Sequence, residues 1–184
     1  TGPGGEAEAA VMLRALTTNV TRFFREPHHF DDLYAQMLEL APSVRAGGRL
    51  RLWSAGCSTG QEPYSMAMTL LSVMPDAANL DVRILASDID TDVLRVGRAA
   101  LYEEEELDAV PANLRGGLER TDSGAWRVGE AARALVAFKE LNLNALAWPM
   151  RGVFQTIFCR NVAIYFDEPT QDRLWRRFAP LIAP

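Results

Sequence analysis

An apolar stretch at residues 49–55 runs directly into Gly56, and a helical stretch opens at Glu62. A second apolar stretch, 81–87, ends on Asp88 and leads into another helical stretch over 91–100. Strand, helix, strand, helix in that order leaves few folds open. Parallel neighbours need a crossover connection, and that crossover is right-handed. The order predicts an α/β domain built on an open parallel sheet. Pro63 agrees with a helix start, because a first-turn proline gives up an N–H that has no partner there. The rhythm returns later: a strand over 136–141 ends at Asn142, another over 154–159 ends at Arg160 and Asn161, and 168–181 reads as a final amphipathic helix.

Two regions depart from this rhythm. Upstream, residues 6–16 read as a helix with Val11, Leu13 and Leu16 on one face, and Thr17, Thr18 and Asn19 offer cap chemistry. An amphipathic stretch over 20–40 follows, and Pro27 places a break or fresh helix start near 26–28. Residues 42–48 read as a loop around Gly47 and Gly48. In the middle, residues 101–134 hold the acidic run 103–106, Pro111, two adjacent glycines and a turn at 121–124. They read as an insertion carrying a small hairpin, with 126–128 as one strand. The acidic run reads as a solvated helix start, and the basic cluster Arg173, Arg176 and Arg177 as a solvated helix face.

Composition excludes several classes of function. A net charge of −5 over 184 residues gives no support to binding nucleic acid. No apolar run reaches the roughly eighteen residues of a membrane helix, so no membrane insertion is expected. Residues 1–8 lack the features of a secretory signal, and two distant cysteines make a disulfide framework improbable, which points to the cytoplasm. Two histidines with no metal-ligand spacing argue against a metal site.

In an open parallel sheet, ligands bind beyond the carboxyl ends of the strands, near the point where strand order reverses. Polar residues gather at those ends. The loop from Ala55 to Glu62 contains Gly56 and Gly60, whose missing Cβ atoms allow close backbone approach to a ligand ahead of a helix N-terminus. It lacks both the dinucleotide fingerprint and the phosphate-loop lysine, and a tight strand-to-helix turn would need the same glycines. Asp88 suits the two hydroxyls of a ribose, with Asp90 or Thr91 free to cap the following helix. Asn161 offers both donor and acceptor to an amine or a carboxylate, and Tyr165 could present its hydroxyl to the same cavity or simply pack. Asn19, Thr21 and Arg25 converge on one ligand if a capped turn precedes the helix. Phe23 and Phe24 read as core, as does the pair His28 and His29.

Four segments, TTNVTRFFREPHHF, LWSAGCSTGQEPYS, LASDIDTDVL and IFCRNVAIYFDEPTQ, resemble in order and spacing those of the CheR-type chemoreceptor methyltransferases. The resemblance runs from about Ala10 to the end of the chain. It implies a Rossmann-like methyltransferase fold with a small inserted β-subdomain, S-adenosyl-L-methionine as donor, S-adenosyl-L-homocysteine as by-product, and a glutamyl methyl ester on the cytoplasmic domains of chemoreceptors as product. By motif position, Asn19, Thr21, Arg25, Gly56 and Glu62 contact the cofactor, and Asp88 holds the ribose. Asn142 and Leu143 border the adenine, Asn161 and Val162 the amino-acid moiety, and Arg25 and Tyr165 lie close to the transferred methyl. Residues 1–18 are then a linker and the remnant of an N-terminal helical domain, and 19–184 the methyltransferase domain with its insertion at about 101–134. The family pattern extends further at both ends, so this chain is expected to be truncated there, with 154–159 as an apolar edge strand. The short turn at 121–124 argues against the tethering peptide that some relatives bind. Transfer to another acceptor, or a binding module without transfer, are the alternatives.

Overall fold

The computed structural model describes residues 21–150 and 152–183. The helix expected over 6–16, its cap, and Asn19 lie outside the described residues.

A parallel sheet forms the centre, with β1 (Leu50–Ala55) between β2 (Val82–Asp88) and β7 (Thr156–Phe158), and β6 (Val136–Glu140) beyond β2. The chain builds outward from β1 through β2 to β6, then returns to the other side of β1 as β7. That reversal puts the switch point between β1 and β7. Helices cover both faces of the sheet, so β1 is buried along nearly its whole length instead of alternating with solvent. Its side chains still alternate by face. Leu50 and Leu52 join the core on one side, Trp53 and Ala55 the core on the other.

On the first face lie α1 (His28–Arg45) and α2 (Gln61–Val73). Helix α1 buries Phe30, Leu33, Met37, Ala41 and Val44, a stripe with helical spacing. Helix α2 buries Gln61 and every residue from Pro63 to Leu70, because it is packed between α1, the sheet and α4 (Glu130–Leu135). Helix α3 (Thr91–Ala99) starts at Asp90, whose Oδ1 accepts the Asp92 N–H at 2.8 Å, so Asp88 is left for other work. The opposite face carries α5 (Glu168–Phe178), which delivers Leu174 and Phe178 against Trp53 and Phe154.

The inserted segment forms an antiparallel sheet, β3 (Leu101–Tyr102), β5 (Trp126–Val128) and β4 (Leu118–Arg120) in that spatial order. Its acidic run opens a 3₁₀ turn, Glu104–Leu107, and its four glutamates are exposed, as expected of a solvated helix start; the Glu103 N–H donates to Glu106 at 3.0 Å. The Trp126 indole donates to Glu104 at 2.6 Å and the Gln61 amide to Glu106 at 3.1 Å. The Tyr102 hydroxyl donates to the Thr59 carbonyl at 2.8 Å, bracing the loop after β1.

Three expectations from local sequence are corrected. Helix α1 continues through Pro42 to Arg45 where a loop was expected. Pro42 removes a single bond near the helix end, while burial of Ala41 and Val44 and the Ala46 N–H on the Pro42 carbonyl hold the last turn. The final helix stops at Phe178 and tightens to a 3₁₀ turn, Ala179–Leu181, because Pro180 cannot continue it. His28 is exposed and His29 half-buried at the first turn of α1; the buried place falls to Phe30. The edge expected over 154–159 is also partly covered: Phe154 is buried and pairs in parallel with Ile182.

Candidate functional site

A cavity of about 660 Å³ opens at the carboxyl ends of the central strands. Its size suits a small organic cofactor. The loops after β1 and β7 meet there, as the topology requires of the two loops flanking the switch point. They meet so closely that a Cβ on Gly56 would collide with the Cγ2 methyl of Val162, and Gly56 also has φ of 84°. Only glycine satisfies both conditions.

The Gly56 and Cys57 N–H groups both donate to the Ser87 carbonyl, at 2.8 and 2.9 Å, tying this loop to the end of β2. Ser58, at φ of 48°, donates its N–H to Asp88 Oδ2 at 2.9 Å, and Asp90 donates to Oδ1 at 3.0 Å. Burial raises the Asp88 carboxyl, with the N–H groups of Asp90 and Ser58 acting the other way. The Ile89 N–H acts on it as well, and a carboxylate with about four lone-pair sites can still accept a ligand hydroxyl.

Glu62 occupies the first turn of α2 and faces the same cavity. It accepts the Ser54 hydroxyl at 2.7 Å, and its Oε2 lies 3.5 Å from Arg160 Nη1. Burial pushes its carboxyl up to about 7, against the pull of the Ser54 hydrogen bond and of Arg160. Across the cavity, Asn142 and Leu143 follow β6. The Asn142 side chain accepts the Asn144 N–H at 2.8 Å, which shapes the turn, and Leu143 is buried. Arg177 of α5 holds that loop from behind, donating to the carbonyls of Leu143 at 3.3 Å and Ala145 at 2.6 Å and lying 3.8 Å above the Trp148 ring.

Thr21 and Arg25 line one side of the opening, on the turn that precedes α1, while Phe23 and Phe24 of the same turn are buried in the core. Asn161 adopts a left-handed φ of 56° three residues beyond the end of β7 and lines the cavity with Val162. Tyr165, in a 3₁₀ turn and half exposed, also lines it. Among the described residues, each of the sequence-derived site positions borders this one cavity. Cys57 borders it too, but its thiol is pushed well up by burial, so it is no nucleophile.

Sequence reasoning assigned no role to Arg22, Ser58 and Arg160, which also line the cavity. Arg160 had a legible signal: a cation at the end of an apolar strand, next to Asn161, is seldom buried without a partner. Ser58 had none, and its buried hydroxyl has no hydrogen-bond partner among the described residues. An unsatisfied hydroxyl and two half-buried carboxylates suit a polar cofactor carrying hydroxyls and an ammonium group. The glycines serve protein packing instead of the ligand approach expected of them: a Cβ on Gly56 would meet Val162, and one on Gly60 would meet Tyr102, Gly97 and Phe138. Among the described residues no group of His, Cys, Asp and Glu could hold a metal ion, and no helix is long and apolar enough to cross a membrane.

Sheet order, switch-point cavity and strand-end acid together define a nucleoside-cofactor-binding α/β domain. Residues 19–184 match the model of the CheR methyltransferase, SAM binding domain, and the chain belongs to that family, whose cofactor is S-adenosylmethionine. It is 49% identical over 185 residues to a probable chemotaxis protein methyltransferase of Rhizobium etli, covering 98% of this chain and 69% of that protein. It is 45% identical to chemotaxis protein methyltransferase 2 of Pseudomonas aeruginosa, covering 96% of this chain and 63% of that protein. The Escherichia coli chemotaxis protein methyltransferase is 43% identical, with 98% of this chain and 61% of that protein covered. The chain therefore spans somewhat under two thirds of the length of most of these relatives.

Proposed function

We propose that this chain holds the donor site and chemical centre of a cytoplasmic protein-glutamate O-methyltransferase that modifies chemoreceptors. The family and the chemotaxis relatives support the donor and the process. The observation that carries the reading is the meeting of these groups on one cavity: the half-buried carboxylates Glu62 and Asp88, Arg160 beside Glu62, and Arg25 with the half-exposed Tyr165. Glu62 takes the ammonium group of S-adenosylmethionine and Asp88 its ribose hydroxyls. Asn142 and Leu143 border the adenine, Asn161 and Val162 the amino-acid moiety, and Gly56, Thr21 and Asn19 complete the cofactor contacts.

Bound there, S-adenosylmethionine supplies a methyl carbon on a sulfonium, which a carboxylate oxygen takes as the C–S bonding pair returns to sulfur. A glutamate acceptor is already ionised at neutral pH, so the protein needs no general base. The work left to the residues is orientation and exclusion of water. Arg25 and Tyr165 align the acceptor carboxylate with the bond that breaks. They must hold it lightly, because a fully paired carboxylate is a weaker nucleophile. The apolar side chains Ile89, Leu143, Val162 and Phe166 border the cavity and limit hydration of the reacting groups.

The test is transfer of labelled methyl from S-adenosylmethionine to receptor cytoplasmic fragments, read as base-labile methanol. Base-stable label would overturn the ester. Tight S-adenosylhomocysteine binding with no transfer, by the chain and by a version extended at both ends, would overturn the enzyme.

A further inference from the structure

Arg160 stands at the carboxyl end of β7 with its side chain only 11% exposed. Its guanidinium donates to the backbone carbonyl of Arg25, lies 3.1 Å from Glu26 Oε2, and lies 3.5 Å from Glu62 Oε2. The rings of Phe30 and Phe158 each lie 5.6 Å from it. One buried cation therefore ties together the β7 end, the first turn of α2, and the turn before α1.

Glu62 sits among several groups. The turn before α1 supplies Glu26 and Arg25, the β7 end supplies Arg160 and Cys159, the loop after β1 supplies Cys57, and β1 supplies the Ser54 hydroxyl. Burial pushes both thiols up, so neither carries charge near neutrality. Arg160 is shared between two carboxylates, one inside the cavity and one, Glu26, 40% exposed.

We infer that Arg160 is a positioning residue for methyl transfer: it favours the ionised form of Glu62 that receives the donor's ammonium, and through the Arg25 carbonyl and Glu26 it pins the turn that carries Arg25 beside the same cavity. This rests on the reading of Glu62 as the ammonium contact. Glu26 opposes the first role, because it draws on the same guanidinium and adds a negative charge near Glu62. The two residues thus push the charge of Glu62 in opposite directions.

The experiment is calorimetric titration of the chain with S-adenosylhomocysteine between about pH 5 and 10, for the parent and for R160M, R160K, E26Q and E62Q. Affinity of the parent rises with pH as Glu62 ionises. In R160M the midpoint of that rise moves up by about 1 to 3 units, the usual effect of losing an opposite charge at this range. R160K retains the cation and restores the midpoint most of the way. In E26Q the midpoint moves down, and as a half-exposed substitution this variant tests the idea even if R160M does not fold. A uniform loss of affinity in R160M with an unmoved midpoint, or an E26Q midpoint that does not fall, overturns the inference. If E62Q binds as the parent does at every pH, the assignment of Glu62 fails first. If E62Q binds weakly while R160M keeps the parental midpoint, only the role of Arg160 falls.

Discussion

The Asp88 carboxylate accepts the Ser58 N–H at 2.9 Å, so the end of β2 (Val82–Asp88) sets the shape of the loop that follows β1 (Leu50–Ala55). The same carboxylate takes the Asp90 N–H at 3.0 Å. Asp88 therefore organises backbone on two sides while presenting its remaining lone pairs to the cavity. D88N should lose S-adenosylhomocysteine affinity by roughly ten- to a hundredfold, the worth of a charge-assisted hydrogen bond of about 1.5–3 kcal/mol. Calorimetry reads the loss, and near-parental affinity would remove Asp88 from the site.

Gly56 admits no side chain. G56A should destabilise the fold by about 1–3 kcal/mol through overpacking against Val162, with left-handed strain added. Urea denaturation measures this. The double variant G56A/V162A should recover part of the loss, since it relieves the collision but leaves φ at 84°.

Glu62 makes folding stability depend on pH. Its folded carboxyl is pushed up to about 7 from an ordinary 4.5, so the folded state holds a proton that the unfolded state has already released. Stability contributed by this group is complete below about pH 4.5 and is lost as pH rises toward 7. E62Q cannot lose that proton. Relative to E62Q, the parent should weaken by up to about 3 kcal/mol between pH 4.5 and 8, as followed by urea midpoints. A difference that does not change with pH would show that Glu62 is not perturbed.

Tyr165 borders the cavity near its opening and Asp88 lies deeper, so the two should separate kinetically. Y165F should lower kcat toward a receptor fragment roughly fivefold, the worth of one orienting hydrogen bond of about 1 kcal/mol, while S-adenosylhomocysteine affinity stays near parental. Equal losses in both would place Tyr165 on the cofactor.

Arg177 holds the loop that carries Asn142 and Leu143, through two carbonyls and the face of Trp148. R177M keeps the stem but removes the donors. It should weaken S-adenosylhomocysteine binding by roughly five- to tenfold, the equivalent of about 1–1.4 kcal/mol, with a change in tryptophan fluorescence.

Short-range rules carried much of this fold. Alternating strands and helices, a proline in the first turn of a helix, and glycines at a strand-to-helix turn are local conditions, and they located every strand of the main sheet. They failed where tertiary contact outweighed propensity. Pro42 stays helical because its neighbours Ala41 and Val44 are buried, and His28 and His29 are not core because Phe30 occupies the inward position.

By itself the sequence determined the order of elements and the polar residues that end each strand, since both follow from periodicity and backbone sterics within a few residues. Tertiary structure alone decided which of those ends share a cavity and which charges meet inside it. Arg160 and Glu26 are 134 positions apart, and they meet because the chain returns across the sheet to set β7 (Thr156–Phe158) beside β1. A charge pair across that distance leaves no periodic trace in the chain; it exists only once hydrophobic burial has closed the sheet.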